Sequence, residues 1–182
     1  MKIIILGPTG SGKGTQAKFI SKLLKIKHIA AGDLIRKGAE KNKSIKRLLN
    51  KGGLLSDNVV INIIKKHIKG NNFILDGYPR TLKQAKALKF KPDLVLFLDV
   101  NKKNCIKRLL LRKRFDDNKK NIENRYKLYL KKTVPVMNHY RKMKYFKEIN
   151  GNPPIEEVSK EIKKILILFL KAHDKHNDRI MF

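Results

Sequence analysis

The chain begins with an apolar run, Ile3-Ile4-Ile5-Leu6, that breaks directly into Gly-Pro-Thr-Gly-Ser-Gly-Lys-Gly-Thr at positions 7–15. Four glycines in nine residues disfavour both helix and strand, so the stretch is a turn leading out of a buried strand. From Lys13 onward the pattern is helical. A strand, a glycine-rich turn and a helix in that order aim several main-chain N–H groups at one point above the helix N-terminus, where an anion is favoured. Gly10, Ser11, Gly12, Lys13, Gly14 and Thr15 are therefore the candidate phosphate-binding residues. The small residues let the main chain close round a polyphosphate, Lys13 brings a point charge, and a hydroxyl can bind Mg2+. The strict pattern places Ser or Thr directly after the lysine; here Gly14 intervenes, with Thr15 next in line.

The rest of the chain alternates strand and helix patterns. Strands are predicted at Lys2 to Leu6, His28 to Ala31, Asn72 to Asp76, Leu94 to Val100 and Tyr145 to Ile149, which argues for a five-stranded parallel sheet covered by helices. After Leu111, Ile122, Tyr126, Tyr129, Leu130, Val134 and Met137 form a helical stripe that Pro135 should kink or interrupt. The last helix is expected from Ile155 to Lys171, with Glu156 and Glu157 in its first turn. Beyond it, residues 172–182 are expected to be a mobile tail, and His173 and His176 a solvated end rather than a metal site. No repeat or linker divides the 182 residues, so one domain is expected.

Composition excludes more than it assigns. No run approaches a membrane span and no secretory signal opens the chain, so a cytoplasmic address is expected. The single cysteine, Cys105, rules out an internal disulfide and a cysteine-built zinc site. A formal charge of +29 would draw polyanions at low salt, yet the lysines are scattered and not interleaved with aromatics, which favours compositional bias over a nucleic-acid platform.

Arginine usage points elsewhere. Only nine of the 44 cations are arginine. The guanidinium fork grips two phosphate oxygens at once, so a lysine-rich chain that places arginine at chosen positions is using its geometry. Arg36 closes "AAGDLIR", Arg80 stands directly after "LDGYP", Arg108 and Arg112 share a helix face, Arg112 and Arg114 flank a short turn leading into Asp116-Asp117, and Arg125 follows two helical turns further on. Asp76, at the carboxyl end of a buried strand, is placed to meet a metal or its waters. Taken singly, Gly32-Asp33 reads better as an ordinary helix cap and Gly77-Tyr78-Pro79 as an ordinary turn.

The ordered set "GPTGSGKGT", "AAGDLIR", "GGLLSDNVV", "LDGYPRT", "RLLLR", "RFDDN" and "TVPV" resembles the adenylate kinases and other nucleoside monophosphate kinases over roughly residues 1–170. The resemblance implies an α/β three-layer fold of the P-loop NTPase type, with a core of 1–29, 61–111 and 118–171. It also implies a monophosphate-binding segment at about 30–60 and a short lid at about 112–117, without the long zinc-bearing lid. ATP would be held by the phosphate loop and by Arg108 and Arg112. AMP would be held by Ala31, Arg36, Leu55, Gly77, Arg80, Gln84, Arg114 and Arg125. Lys13, Arg80, Arg112, Arg114 and Arg125 would act in transfer, and Asp116 and Asp117 in lid closure. Mg2+ would meet Thr15 directly and Asp76 and Asp33 through water, with no structural zinc. Thr9 stands where the family loop usually has proline. Ala31, where adenylate kinases usually have threonine, suits a UMP or CMP kinase, whereas Gln84 suits adenine. A more distant alternative is a basic RNA-associated ATPase with a similar core. ATP and AMP are the expected partners, with no membrane and no obligate protein partner.

Overall fold

The structure, a computed structural model, describes residues 1–112, 114 and 116–178, with side chains described as far as Ala172 except at positions 113 and 115. Strand β1 (Lys2–Leu6) leads through the glycine-rich loop into α1 (Lys13–Leu24), and then come β2 (Lys27–Ala30), α2 (Ala31–Glu40), α3 (Lys43–Asn50) and α4 (Asp57–His67). Next are β3 (Phe73–Asp76), α5 (Leu82–Lys86), β4 (Leu94–Asp99) and α6 (Lys102–Arg112). The chain ends with α7 (Lys119–Leu128), a π-helical turn (Tyr129–Thr133), α8 (Val134–Arg141), β5 (Phe146–Asn150) and α9 (Ile155–Asp178).

All four pairings are parallel, in the order β2-β3-β1-β4-β5. Alternate residues of the central strands build two cores, one on each face. Ile4, Leu6, Leu75 and Val95 meet Val60 and Ile64 of α4 and Val136 and Tyr140 of α8. Ile3, Ile5, Ile74 and Leu96 meet Ala17 and Ile20 of α1 and Ile162 and Leu166 of α9. Strands buried on both faces need no polar alternation, which is why "KIIIL" and "LVLFLD" read as continuous apolar runs. Because β1 lies between β3 and β4, the chain crosses to opposite sides of it, and the crevice at its carboxyl end is where such sheets bind ligands. The glycine-rich loop occupies that crevice.

Two expectations change in detail. The stripe after Leu111 is split: α7 passes into the π turn, where the Val134 N–H donates to Tyr129 O, and Pro135 falls in the first turn of α8, where its missing N–H is harmless. The last helix continues past Lys171 to Asp178, so the backbone of 172–178 is helical; residues 179–182 and the side chains of His173 and His176 lie outside the described residues. No described helix is long and apolar enough to cross a membrane.

Candidate active site

Above the carboxyl edge of the sheet lies a cavity of about 690 Å3, within the ~300–1,000 Å3 typical of small-molecule sites. Gly10, Gly12, Lys13, Gly14 and Thr15 form one wall. The loop's shape depends on backbone angles that suit glycine. Gly10 has φ +88° and a Cβ there would stand 2.5 Å from Cys105 O, while Gly12 has φ +90° and faces open space. Gly12 is the N-cap of α1 and offers no side-chain oxygen, so the helix N-terminus is left open to an external anion.

Lys13 is folded back on its own loop. Its Nζ donates to Gly7 O at 2.9 Å, Pro8 O at 2.6 Å and Ser11 Oγ at 3.2 Å. Burial pushes its amine down to about 8, with the Asp76 carboxylate pulling the other way. Ser11 is itself buried and anchors the lysine rather than lining the cavity. Asp76, at the end of β3, sits beside Gly14, where a Cβ would lie 3.4 Å from Asp76 Oδ2. That oxygen also lies 3.2 Å from His28 Nε2 of β2, a cavity residue that sequence reasoning passed over.

Much of the remaining lining is guanidinium. Arg36, Arg80, Arg108, Arg112, Arg114 and Arg125 all face the cavity. Arg80 Nε donates to Gly77 O at 2.8 Å, and Thr133 Oγ1, from the π turn, donates to Arg80 O at 3.1 Å. Burial and the neighbouring Arg125 and Arg36 lower the pKa of Arg80, with the Asp76 carboxylate opposing them. Arg108 donates to Gly151 O at 2.8 Å and Asn152 O at 3.1 Å, tying α6 to the loop before α9.

Three carboxylates hold the remaining arginines. Arg112 forks onto Asp117, Nε to Oδ2 and Nη2 to Oδ1, each at 2.8 Å, and Arg125 Nη1 reaches Asp117 Oδ1 at 3.0 Å. Burial pushes the Asp117 carboxyl up, but Arg112 and Arg125 outweigh it and hold it below the ordinary value. Asp116 Oδ2 accepts from Arg125 and lies 3.9 Å from Arg36 Nη1, while its buried Oδ1 has no hydrogen-bond partner among the described residues. Asp33 Oδ1 accepts from both Arg36 and Arg114, joining α2 to the segment after α6.

Leu55 and Gly77 also line the cavity, whereas Ala31 and Gln84 lie just behind its wall, 1% and 3% exposed. Gln84 Oε1 accepts from the Arg80 main-chain N–H at 2.8 Å and its Nε2 donates to Asp57 Oδ1 at 2.8 Å, leaving one N–H and one oxygen lone pair uncommitted. Leu49 and Ile155 supply apolar wall that no motif announced, and Leu54, within "GGLLSDNVV", adds to it. Among the described residues no group of three or more His, Cys, Asp or Glu side chains could hold a metal ion.

Two anion cradles, one of main-chain N–H groups and one of arginines, thus share a single cavity, an arrangement suited to passing a phosphoryl group between two phosphate-bearing ligands. Comparison with known proteins agrees. The family described as adenylate kinase matches residues 5–145. An adenylate kinase of Prochlorococcus marinus (strain MIT 9515) is 38% identical over 174 residues, covering 88% of this chain and 96% of its own length. Adenylate kinases of Methanothrix thermoacetophila and Petrotoga mobilis are 35% and 33% identical over 214 residues, covering 93% and 94% of this chain and all of theirs. With its parallel sheet, its phosphate loop and these relatives, the chain belongs to the adenylate kinase family.

Proposed function

We propose that the protein transfers the terminal phosphoryl group of ATP to AMP, reversibly, giving two ADP. The observation that carries this reading is that Lys13 and the arginines Arg36 and Arg80 face one cavity. An ATPase has no use for a second phosphate clamp.

The two ends divide the substrates. The loop from Gly10 to Thr15 holds the donor phosphates, with Arg108 and Ile155 flanking the donor base. Arg36 and Arg80 hold the acceptor phosphate, and Leu55, Ala31 and Gln84 lie about the acceptor base. The helices of residues 30–60 form the acceptor segment and residues 112–117 the lid. Arg112, Arg114 and Arg125 stabilise charge on the migrating group, which passes through a loose transition state and asks for alignment more than for a nucleophile. Thr15, Asp76 and Asp33 would hold Mg2+. The Thr15 hydroxyl and the Asp76 carboxylate, with phosphate oxygens and water, make the hard donor set that Mg2+ prefers, and Gly14 leaves Asp76 uncovered. When bound, the ion neutralises developing charge on the phosphate oxygens.

The test is a coupled assay with ATP and, in turn, AMP, CMP, UMP and GMP, together with binding of diadenosine pentaphosphate. ADP formation fastest with AMP, and tight binding of the bisubstrate mimic, support the reading. ATP hydrolysis that ignores every acceptor refutes it.

A further inference from the structure

We infer that Asp57 fixes which purine the acceptor site takes, by locking the orientation of the Gln84 carboxamide; this rests on the reading of Gln84 as the group that meets the acceptor base. Asp57, in the first turn of α4, is half-buried and its Oδ1 accepts from Gln84 Nε2 at 2.8 Å. On the other side of the amide, Gln84 Oε1 accepts from the Arg80 main-chain N–H at 2.8 Å. An ionised carboxylate only accepts and a peptide N–H only donates. The amide therefore has one permitted orientation: turned over, its oxygen would oppose a carboxylate and its NH2 would oppose an N–H. Asp57 is held in turn, because the same Oδ1 accepts from Thr81 Oγ1 at 2.9 Å, and that hydroxyl oxygen accepts from the Gln84 N–H at 3.1 Å.

Orientation carries information. Adenine presents a 6-amino donor beside N1, an acceptor, whereas a 6-oxopurine presents O6, an acceptor, beside an N1–H donor. The two edges have the same shape and inverted polarity, so an amide that serves one meets the other with donor against donor and acceptor against acceptor. The free N–H and lone pair of Gln84 discriminate between the two only while the amide cannot flip. Of its two locks, the Arg80 N–H is main chain and any residue but proline supplies it; Asp57 is the lock that this sequence chooses. Asp57 acts through Gln84 and is a positioning residue.

The experiment compares kcat/KM for AMP and for IMP, with ATP as donor, in the wild type, in Asp57→Asn, which offers the amide either a donor or an acceptor, and in Asp57→Ser, whose hydroxyl does the same with less bulk should the first variant fold poorly. The wild type should prefer AMP by at least about a thousandfold, since a site built on paired hydrogen bonds rejects the mismatched analogue strongly. In either variant the preference should fall at least about tenfold, with kcat/KM for IMP rising above the wild-type value and the KM for ATP unmoved. If AMP and IMP rates fall together and their ratio holds, Asp57 only seats α4 and the inference is overturned while the AMP reading stands. A wild type that prefers UMP or CMP to AMP overturns the reading of Gln84 and this inference with it.

Discussion

Raising the pH from 7 to 9 should move stability and donor binding in opposite directions through one side chain, Lys13. Burial holds its amine at about 8 against an ordinary 10.5; the Asp76 carboxylate resists that fall, and Arg80 and Arg112 add to it. The unfolded chain keeps the ordinary value. Between about 8 and 10.5 the unfolded state therefore retains a proton that the folded state has released, and stability rises with pH. At about 1.4 kcal/mol per pKa unit the whole difference is roughly 3 kcal/mol, of which about 1 kcal/mol is recovered between pH 7 and pH 9. In a chain of this length that is about 2–4 °C in Tm. Cys105 works the other way: burial pushes its thiol up to about 11, so stability is lost as pH climbs above its ordinary 9.0. The measurement must therefore be a difference, with urea unfolding of the wild type and of Lys13→Met at both pH values. The wild type should gain about 1 kcal/mol on the variant between pH 7 and pH 9. Over the same range kcat/KM for ATP should fall, approaching about tenfold per pH unit above 8, while kcat holds because bound phosphate keeps the ammonium protonated. Urea midpoints that shift in parallel, or a flat kcat/KM up to pH 9.5, would refute the assignment.

Gly10→Ala should destabilise by about 2 kcal/mol or more, because its Cβ meets Cys105 O at 2.5 Å as well as an unfavourable φ, whereas Gly12→Ala, facing open space, should lose only about 1 kcal/mol; urea midpoints separate them. Arg125→Lys should lower kcat about a hundredfold, roughly 3 kcal/mol, since the fork that spans Asp116 and Asp117 has no lysine equivalent; a drop under threefold in steady-state rate would remove it from the transfer step. Without acceptor, slow ATP hydrolysis should be measurable and faster than in long-lid adenylate kinases, because only three residues separate Arg112 from Asp116, too few for a long lid; strict dependence on AMP would contradict this. Asp33→Asn should tighten AMP binding in Mg2+-free buffer by about fivefold, close to 1 kcal/mol, by withdrawing a carboxylate that holds Arg36; weaker binding in calorimetry would mean that Asp33 presents Arg36 rather than competes for it.

Much of the fold was legible because the chain repeats one physical signal. Strands buried on both faces must be apolar throughout, so β1 was located to the residue and β3 and β4 to within one. The edge strands β2 and β5 were displaced by a single position, since strands such as "KHIA" and "FKEIN" carry charge and blur their ends. A kink or break was expected at Pro135; the irregularity lies just before it, a π turn that aims Thr133 at the Arg80 carbonyl and depends on packing that no local pattern encodes. Partnerships between distant residues were hidden altogether. Asp57 reads locally as an ordinary helix start, and nothing in "SDNVV" says that its carboxylate meets Gln84. His28 likewise reads as one polar residue of a short strand until the β2–β3 pairing sets it near Asp76.

The six arginines at the cavity explain the three aspartates among them. Of the remaining three, Arg47 is exposed, Arg141 pairs with Glu148 on the surface and Arg179 lies outside the described residues. Guanidinium groups gathered without an anion repel one another, and in a partly dehydrated site the repulsion is screened little. Carboxylates must stand in for phosphate until phosphate arrives, yet they must release some arginines when it does. The structure divides these tasks by burial. Asp117 has a buried side chain, accepts three hydrogen bonds and ties Arg112 to Arg125. Asp33 has a side chain 55% exposed and shares one oxygen between Arg36 and Arg114, so water already competes for it. An incoming phosphate offers more charge and three acceptor oxygens in place of one shared oxygen. Exchange would therefore start at Asp33, whose shared oxygen joins α2 to the segment after α6. A phosphate bound by Arg36 would take over from Asp33 the link between α2 and Arg114, exchanging a shared carboxylate oxygen for a stronger acceptor.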